Sequence, residues 1–139
     1  RRRARQRDGR GLRARRARTV STLLFVYGTL KRGCSNHRQM MGQQYLGEGR
    51  TAPGYRLYHL GGYPGLVAEA SDREGVTGEV WSVEAPALRR LDDFEGVTEG
   101  LYRREPVPLL EPFAHQRVMA YLYARPIAGF AAVGPTWRE

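Results

Sequence analysis

Glu95 closes the stretch Leu88-Arg-Arg-Leu-Asp-Asp-Phe-Glu-Gly96. A carboxyl group can take a proton from a substrate and return it later if its surroundings raise its proton affinity. The spacing here predicts such surroundings. Pro86 suits the first turn of a helix, and Gly96 suits the position just past its end. At about 100° per residue, Leu88, Leu91, Asp92 and Glu95 share one face, while Arg89, Arg90 and Asp93 point away. Three effects then favour the neutral acid. Water is stripped from the carboxylate. The helix dipole is negative at that end. Asp92, three residues back, is a like charge. The same stretch also fits an idle glutamate at a helix end.

A second feature lies near residue 30. Leu23-Leu-Phe-Val-Tyr27 is an apolar run that ends in glycine and predicts a buried strand. Gly28-Thr-Leu-Lys-Arg-Gly33 then forms a tight loop. It fails as a phosphate loop, because Cys34-Ser35 stands where Lys-Ser/Thr is required. What survives is a run of backbone N–H groups able to face an anion. Ser35 or Asn36 is expected to cap a short helix over 37–43, with Met40 and Met41 packing inward.

Other chemistries fit less well. No Gly-x-Ser-x-Gly elbow is present. Cys34 and His37 could pair as nucleophile and base, but neighbours in a loop rarely align with a third, orienting group. One cysteine excludes an intramolecular disulfide, and three scattered histidines lack metal-ligand spacing, so neither a metal nor a cofactor is expected. A lone carboxyl group opposite a backbone anion cradle suits an acyl transfer in which the substrate brings its own nucleophile.

The elements around these residues read as strand-rich. The chain has 139 residues, of which 17 are glycine and 8 proline, enough for many turns within one core. The net charge of +9 is carried by the first 18 residues, with ten arginines and one aspartate; the rest is balanced at thirteen of each sign. Residues 1–18 are therefore read as a disordered Arg-rich arm, a passenger, with the single folded domain spanning 19–139 and beginning near Val20. The arm could hold nucleic acid, but the neutral remainder makes that partner unlikely. No apolar run approaches the roughly 20 residues of a membrane helix, and the expected location is the cytoplasm. Further strands are expected as a pair within 44–60, then at Leu66–Ala68, Val76–Val83, an edge strand over 102–110 and an alternating strand over 116–124. Residues 125–139 carry no strong pattern. The sum is an α+β fold, a small mixed β-barrel of six or seven strands with two or more short helices.

Taken in order, Val26-Tyr-Gly-Thr-Leu-Lys-Arg-Gly33, Asn36-His37, Tyr63-Pro64, Val76-x-Gly-Glu-Val80, Leu91-Asp-Asp-Phe-Glu-Gly96 and Tyr102-x-Arg104 resemble the γ-glutamylcyclotransferase superfamily, in particular its γ-glutamylamine branch. The resemblance covers about residues 23–123. It implies a small barrel with a cavity at one side and a small γ-glutamyl compound as substrate. It implies that backbone N–H groups of Gly28, Thr29 and Leu30, next to Tyr27, hold the γ-glutamyl head. Glu95 would move the proton during ring closure to 5-oxoproline. Tyr102 would hydrogen-bond the substrate or Glu95, and Tyr63 and Tyr121 or Tyr123 would line the pocket. Lys31 and Arg32 read as solvated loop charges. A binding module without chemistry on the same fold remains the alternative.

Overall fold

The apolar run near the start forms β1 (Ser21–Val26), which is completely buried from Leu24 onward. The computed structural model describes residues 20–139; the Arg-rich arm and its expected disorder lie outside them. After β1 the chain makes a short 3₁₀ turn (His37–Met40) and then runs through β2 (Gln44–Arg50), β3 (Tyr55–His59), β4 (Pro64–Ala68) and β5 (Thr77–Glu84). The helix α1 (Ala85–Phe94) follows, then β6 (Tyr102–Pro106), β7 (Val118–Tyr123) and β8 (Ala131–Val133).

All eight strands belong to one mixed sheet, with path β2-β5-β1-β7-β4-β3-β8 and β6 on the far edge of β7. β1 pairs parallel to β7 at Val118 and Met119, and β4 pairs parallel to β7 at Leu122. β6 occupies Met119–Tyr123 from the other side, so β1 and β4 must share one edge of β7 and splay apart along it. Between them the sheet forks. Tyr27, one residue past β1, fills the fork. Its hydroxyl donates to the Tyr121 carbonyl at 2.7 Å and accepts the Leu66 N–H at 3.2 Å.

Among the described residues, no continuous ladder closes this sheet into a full barrel. The segment after β6 reaches the end of β2 through a single bridge, Thr51 to Leu109. The expected strand pair within 44–60 is not a hairpin: β2 and β3 lie far apart along the path and pair with β5 and with β4 and β8. β8 adds a strand to the six or seven expected. Its three residues are largely exposed and show no alternation.

The central strands are buried on both faces, which explains why β1 reads as a continuous apolar run. Leu24 and Val26 of β1 join Met119 and Tyr121 of β7 and Leu88 and Leu91 of α1 in one apolar cluster. Phe25 and Tyr27 join Val118, Ala120 and Leu122 in a second cluster, inside the curl of the sheet. The alternation along 118–123 thus divides the residues between two cores. Among the described residues, no helix is long and apolar enough to cross a membrane.

Candidate active site

The loop after β1 is built so that its carbonyls point into the turn. The Gly28 carbonyl accepts from the Lys31 N–H at 3.1 Å, and the Thr29 carbonyl accepts from the Asn36 N–H at 2.9 Å. The Leu30 carbonyl accepts from His37 Nδ1 at 2.9 Å. The amide N–H groups of the same three residues find no protein acceptor among the described residues. All three residues line a cavity of about 360 Å³. Donors left free on residues that line a cavity are the kind of groups an anion can bind.

Three neighbours hold this loop. Glu79, buried on β5, accepts from the Arg32 N–H, from Arg32 Nε and from Trp81 Nε1, each at 3.1 Å. Arg32 also lies over the Tyr45 ring, 3.7 Å from its centroid. Lys31 donates to the Trp137 carbonyl at 2.7 Å. Lys31 and Arg32 therefore fasten the loop, and Arg32 does so while its side chain stays half-exposed to solvent. At Gly28, a Cβ would sit 2.5 Å from Cγ of Pro64. Only glycine lets the loop pass this close to the Tyr63-Pro64 turn.

The opposite wall comes from α1. Pro86 lies in its first turn, and Leu88 and Leu91 are buried as the periodicity predicts. The helix stops in a Schellman motif: Val97 N–H to the Asp92 carbonyl at 3.0 Å, Gly96 N–H to the Asp93 carbonyl at 3.1 Å, with Gly96 at φ 68°. This ending makes Glu95 the C-cap and turns it into the cavity. Burial pushes its carboxyl from 4.5 up to about 7. Asp92 does not contribute as expected. Burial would raise Asp92, but Arg104, bidentate at 2.8 and 3.0 Å, and the Tyr121 hydroxyl at 2.7 Å hold it below its usual range. Its charge is answered before it reaches Glu95.

Tyr27, Gly28, Thr29, Leu30, Tyr63, Tyr102, Tyr121 and Glu95 all line this one cavity. The hydroxyls of three of these tyrosines are held by protein acceptors. The Tyr102 hydroxyl donates to the Pro64 carbonyl at 2.7 Å, not to Glu95. Tyr121 donates to Asp92, and Tyr27 to the Tyr121 carbonyl. A phenol has one proton to give, so these three rings are braced walls. Burial, then the nearby Glu95 charge, drives the Tyr102 phenol well above its ordinary value and keeps it protonated. Tyr123 is not on the cavity and packs edge-on against Tyr102 at 5.6 Å. Cys34 and His37 do not form a catalytic pair. His37 spends Nδ1 on Leu30 and packs on Trp81, while burial pushes the Cys34 thiol up. Neither expected cap acts: Ser35 bonds Glu139, Asn36 makes no side-chain cap, and Met41 is exposed.

The cavity also includes Asn36, Phe94 and Leu101, which the sequence reading did not place in the site. Asn36 was read as a cap. Phe94 lies three residues past Leu91, at the border of the buried helix face, and lines the cavity where the helix ends. Leu101 sits in a loop without periodicity.

Residues 24–137 match the family described as gamma-glutamyl cyclotransferase, AIG2-like. The chain belongs to this family. It is 36% identical over 134 residues to the gamma-glutamylaminecyclotransferase of Homo sapiens, covering 84% of each chain. A relative from Vibrio cholerae is 46% identical over 85 residues, 61% of this chain and 70% of its own length. The crystal structure of an AIG2-like protein from Mus musculus superposes with a TM-score of 0.67 at 32% identity, over 75% of this chain and 78% of that one. The mixed sheet described above is thus the fold of an AIG2-like cyclotransferase. Membership supports cyclotransferase activity at the level of the family.

Proposed function

We propose that this protein cyclises a γ-glutamyl amine to 5-oxoproline and releases the amine, with Glu95 as both base and acid. The observation that carries the reading is a carboxyl group raised to about 7 in a cavity also lined by three residues whose backbone N–H groups have no protein acceptor among the described residues. The cradle of Gly28, Thr29 and Leu30 suits the negative end of a γ-glutamyl head. Glu95, as carboxylate, accepts a proton from the substrate α-amine. The amine nitrogen then bonds to its own γ-carbonyl carbon, and the carbonyl electrons move onto oxygen. As that oxyanion collapses, the bond from carbon to the departing nitrogen breaks. Glu95 returns the proton to that nitrogen and is regenerated as carboxylate. A carboxyl group near 7 is a far better base than an ordinary one and still a usable acid. Burial is what makes one group serve both steps.

The Tyr27, Tyr102 and Tyr121 rings support the reading as a rigid shell that fixes the distance between the cradle and the acid. The test is chromatographic detection of 5-oxoproline from γ-glutamyl amides. Glu95→Gln keeps the shape and removes the base, and is expected to lower turnover by about 10²- to 10⁴-fold. Near-unchanged turnover in that variant would refute the assignment. Binding without product in the unaltered protein would favour the non-catalytic alternative.

A further inference from the structure

We propose, on the cyclotransferase reading above, that residues 135–139 form a strap in which Trp137 and Glu139 are positioning residues for the cradle. The fork of the sheet creates the need for one. One arm carries β1, β5 and β2, and the other carries β4, β3 and β8. The cavity takes residues 27–30 from the end of β1 and Tyr63 and Pro64 from the start of β4, so its walls stand on different arms. Inside the fork the arms are joined at the Tyr27 hydroxyl. Outside it they are joined by the segment that follows β8.

That segment leaves the second arm and crosses to the first. The Pro135 carbonyl accepts from the Thr77 N–H at the start of β5, at 2.8 Å. The Thr136 and Thr77 hydroxyls meet at 2.7 Å. Trp137 is buried, and its ring packs 5.3 Å from that of His59 on β3. The Trp137 carbonyl accepts from Lys31 Nζ at 2.7 Å. Glu139 accepts from the Ser35 N–H at 2.9 Å and from the Ser35 hydroxyl at 3.1 Å. A few residues thus hold β3, β5 and the loop after β1 together.

The two loop residues they grip are placed to aim the cradle. The Lys31 N–H holds the Gly28 carbonyl, and the N–H of Asn36, next to Ser35, holds the Thr29 carbonyl. In a planar trans peptide the C=O and N–H point opposite ways. Fixing these two carbonyls therefore fixes the directions of the Thr29 and Leu30 N–H groups. Close packing does not do this work at Lys31. A second cavity of about 490 Å³ opens beside it and is also lined by Thr77, Glu79 and Thr136. Directed bonds hold Lys31 there, alongside the grip of Glu79 on Arg32.

The experiment measures kcat and KM for 5-oxoproline release from γ-glutamylbutylamide and γ-glutamyl-ε-lysine across pH, using the full chain. Lys31→Met removes the bond to the Trp137 carbonyl, and Lys31→Arg keeps a donor there. Glu139→Gln, at an exposed position, removes the charge that Ser35 donates to. KM is expected to rise about three- to tenfold in Lys31→Met and about two- to threefold in Glu139→Gln, with kcat within about twofold of wild type. Lys31→Arg should restore most of the KM. The pH midpoint should stay in place, because Glu95 is untouched. A purely structural role would lower the urea midpoint and leave the KM of the folded protein unchanged. That result in both variants would overturn the proposal, as would a shifted pH midpoint, and either would leave the cyclotransferase reading standing. Absence of 5-oxoproline from the unaltered protein with both compounds would overturn both.

Discussion

At the scale of the residue, Glu95 must weaken the fold wherever it is forced to ionise. Its carboxyl is raised from 4.5 to about 7 by burial. Below about 4.5 it is protonated in both folded and unfolded chains and costs nothing. Between 4.5 and 7 the unfolded chain releases the proton while the folded chain keeps it, so stability falls as pH rises. Above about 7 the whole penalty is present. The change corresponds to at most about 3 kcal/mol, and about 2 kcal/mol is expected because the cavity leaves the group partly solvated. Urea denaturation of Glu95→Gln beside the unaltered protein checks this. The variant should gain about 2 kcal/mol relative to wild type between pH 4.5 and 8. A constant difference would mean that Glu95 titrates normally. The apolar face that raises this acid was legible from Leu88 and Leu91. The silence of Asp92 was not, because its partners Arg104 and Tyr121 reach it from β6 and β7.

At the scale of the element, the glycine loop is shaped by what holds it. Glu79 receives three N–H donors and so fixes Arg32 at the far end of the cradle. Glu79→Gln keeps the volume but offers one acceptor oxygen where there were two, and turns an NH₂ group toward a donor. Stability should fall by about 1–3 kcal/mol. KM should rise because the cradle shifts, while the pH midpoint of the reaction stays put because Glu95 is untouched. An unchanged KM would show that the loop does not need this anchor. The loop and helix were readable from Gly28 and from the Pro86 and Gly96 punctuation. The anchor was not, since Glu79 and Arg32 are 47 residues apart and only strand pairing joins them. β8 escaped notice for a different reason: Ala131-Ala132-Val133 buries too little to leave a pattern.

At the scale of the whole molecule, the cavity exists because the sheet forks. β1 and β4 share one edge of β7, and the residues at 27–30, 63–64, 95, 102 and 121 meet at the gap. No periodicity encodes that order, because both parallel pairings join strands distant in sequence. The family's ordered motifs made most of the cavity-lining residues legible, whereas their hydrogen bonds needed coordinates. The claim on which the account turns is that burial tunes one acid to act near neutral pH. The direct test is kcat/KM for 5-oxoproline formation as a function of pH, in wild type and in Glu95→Gln. The account predicts an acid limb with its midpoint near 7 in wild type and about 10²- to 10⁴-fold less activity in the variant across the range. A limb near 4.5, or a variant that keeps the wild-type profile, would contradict it.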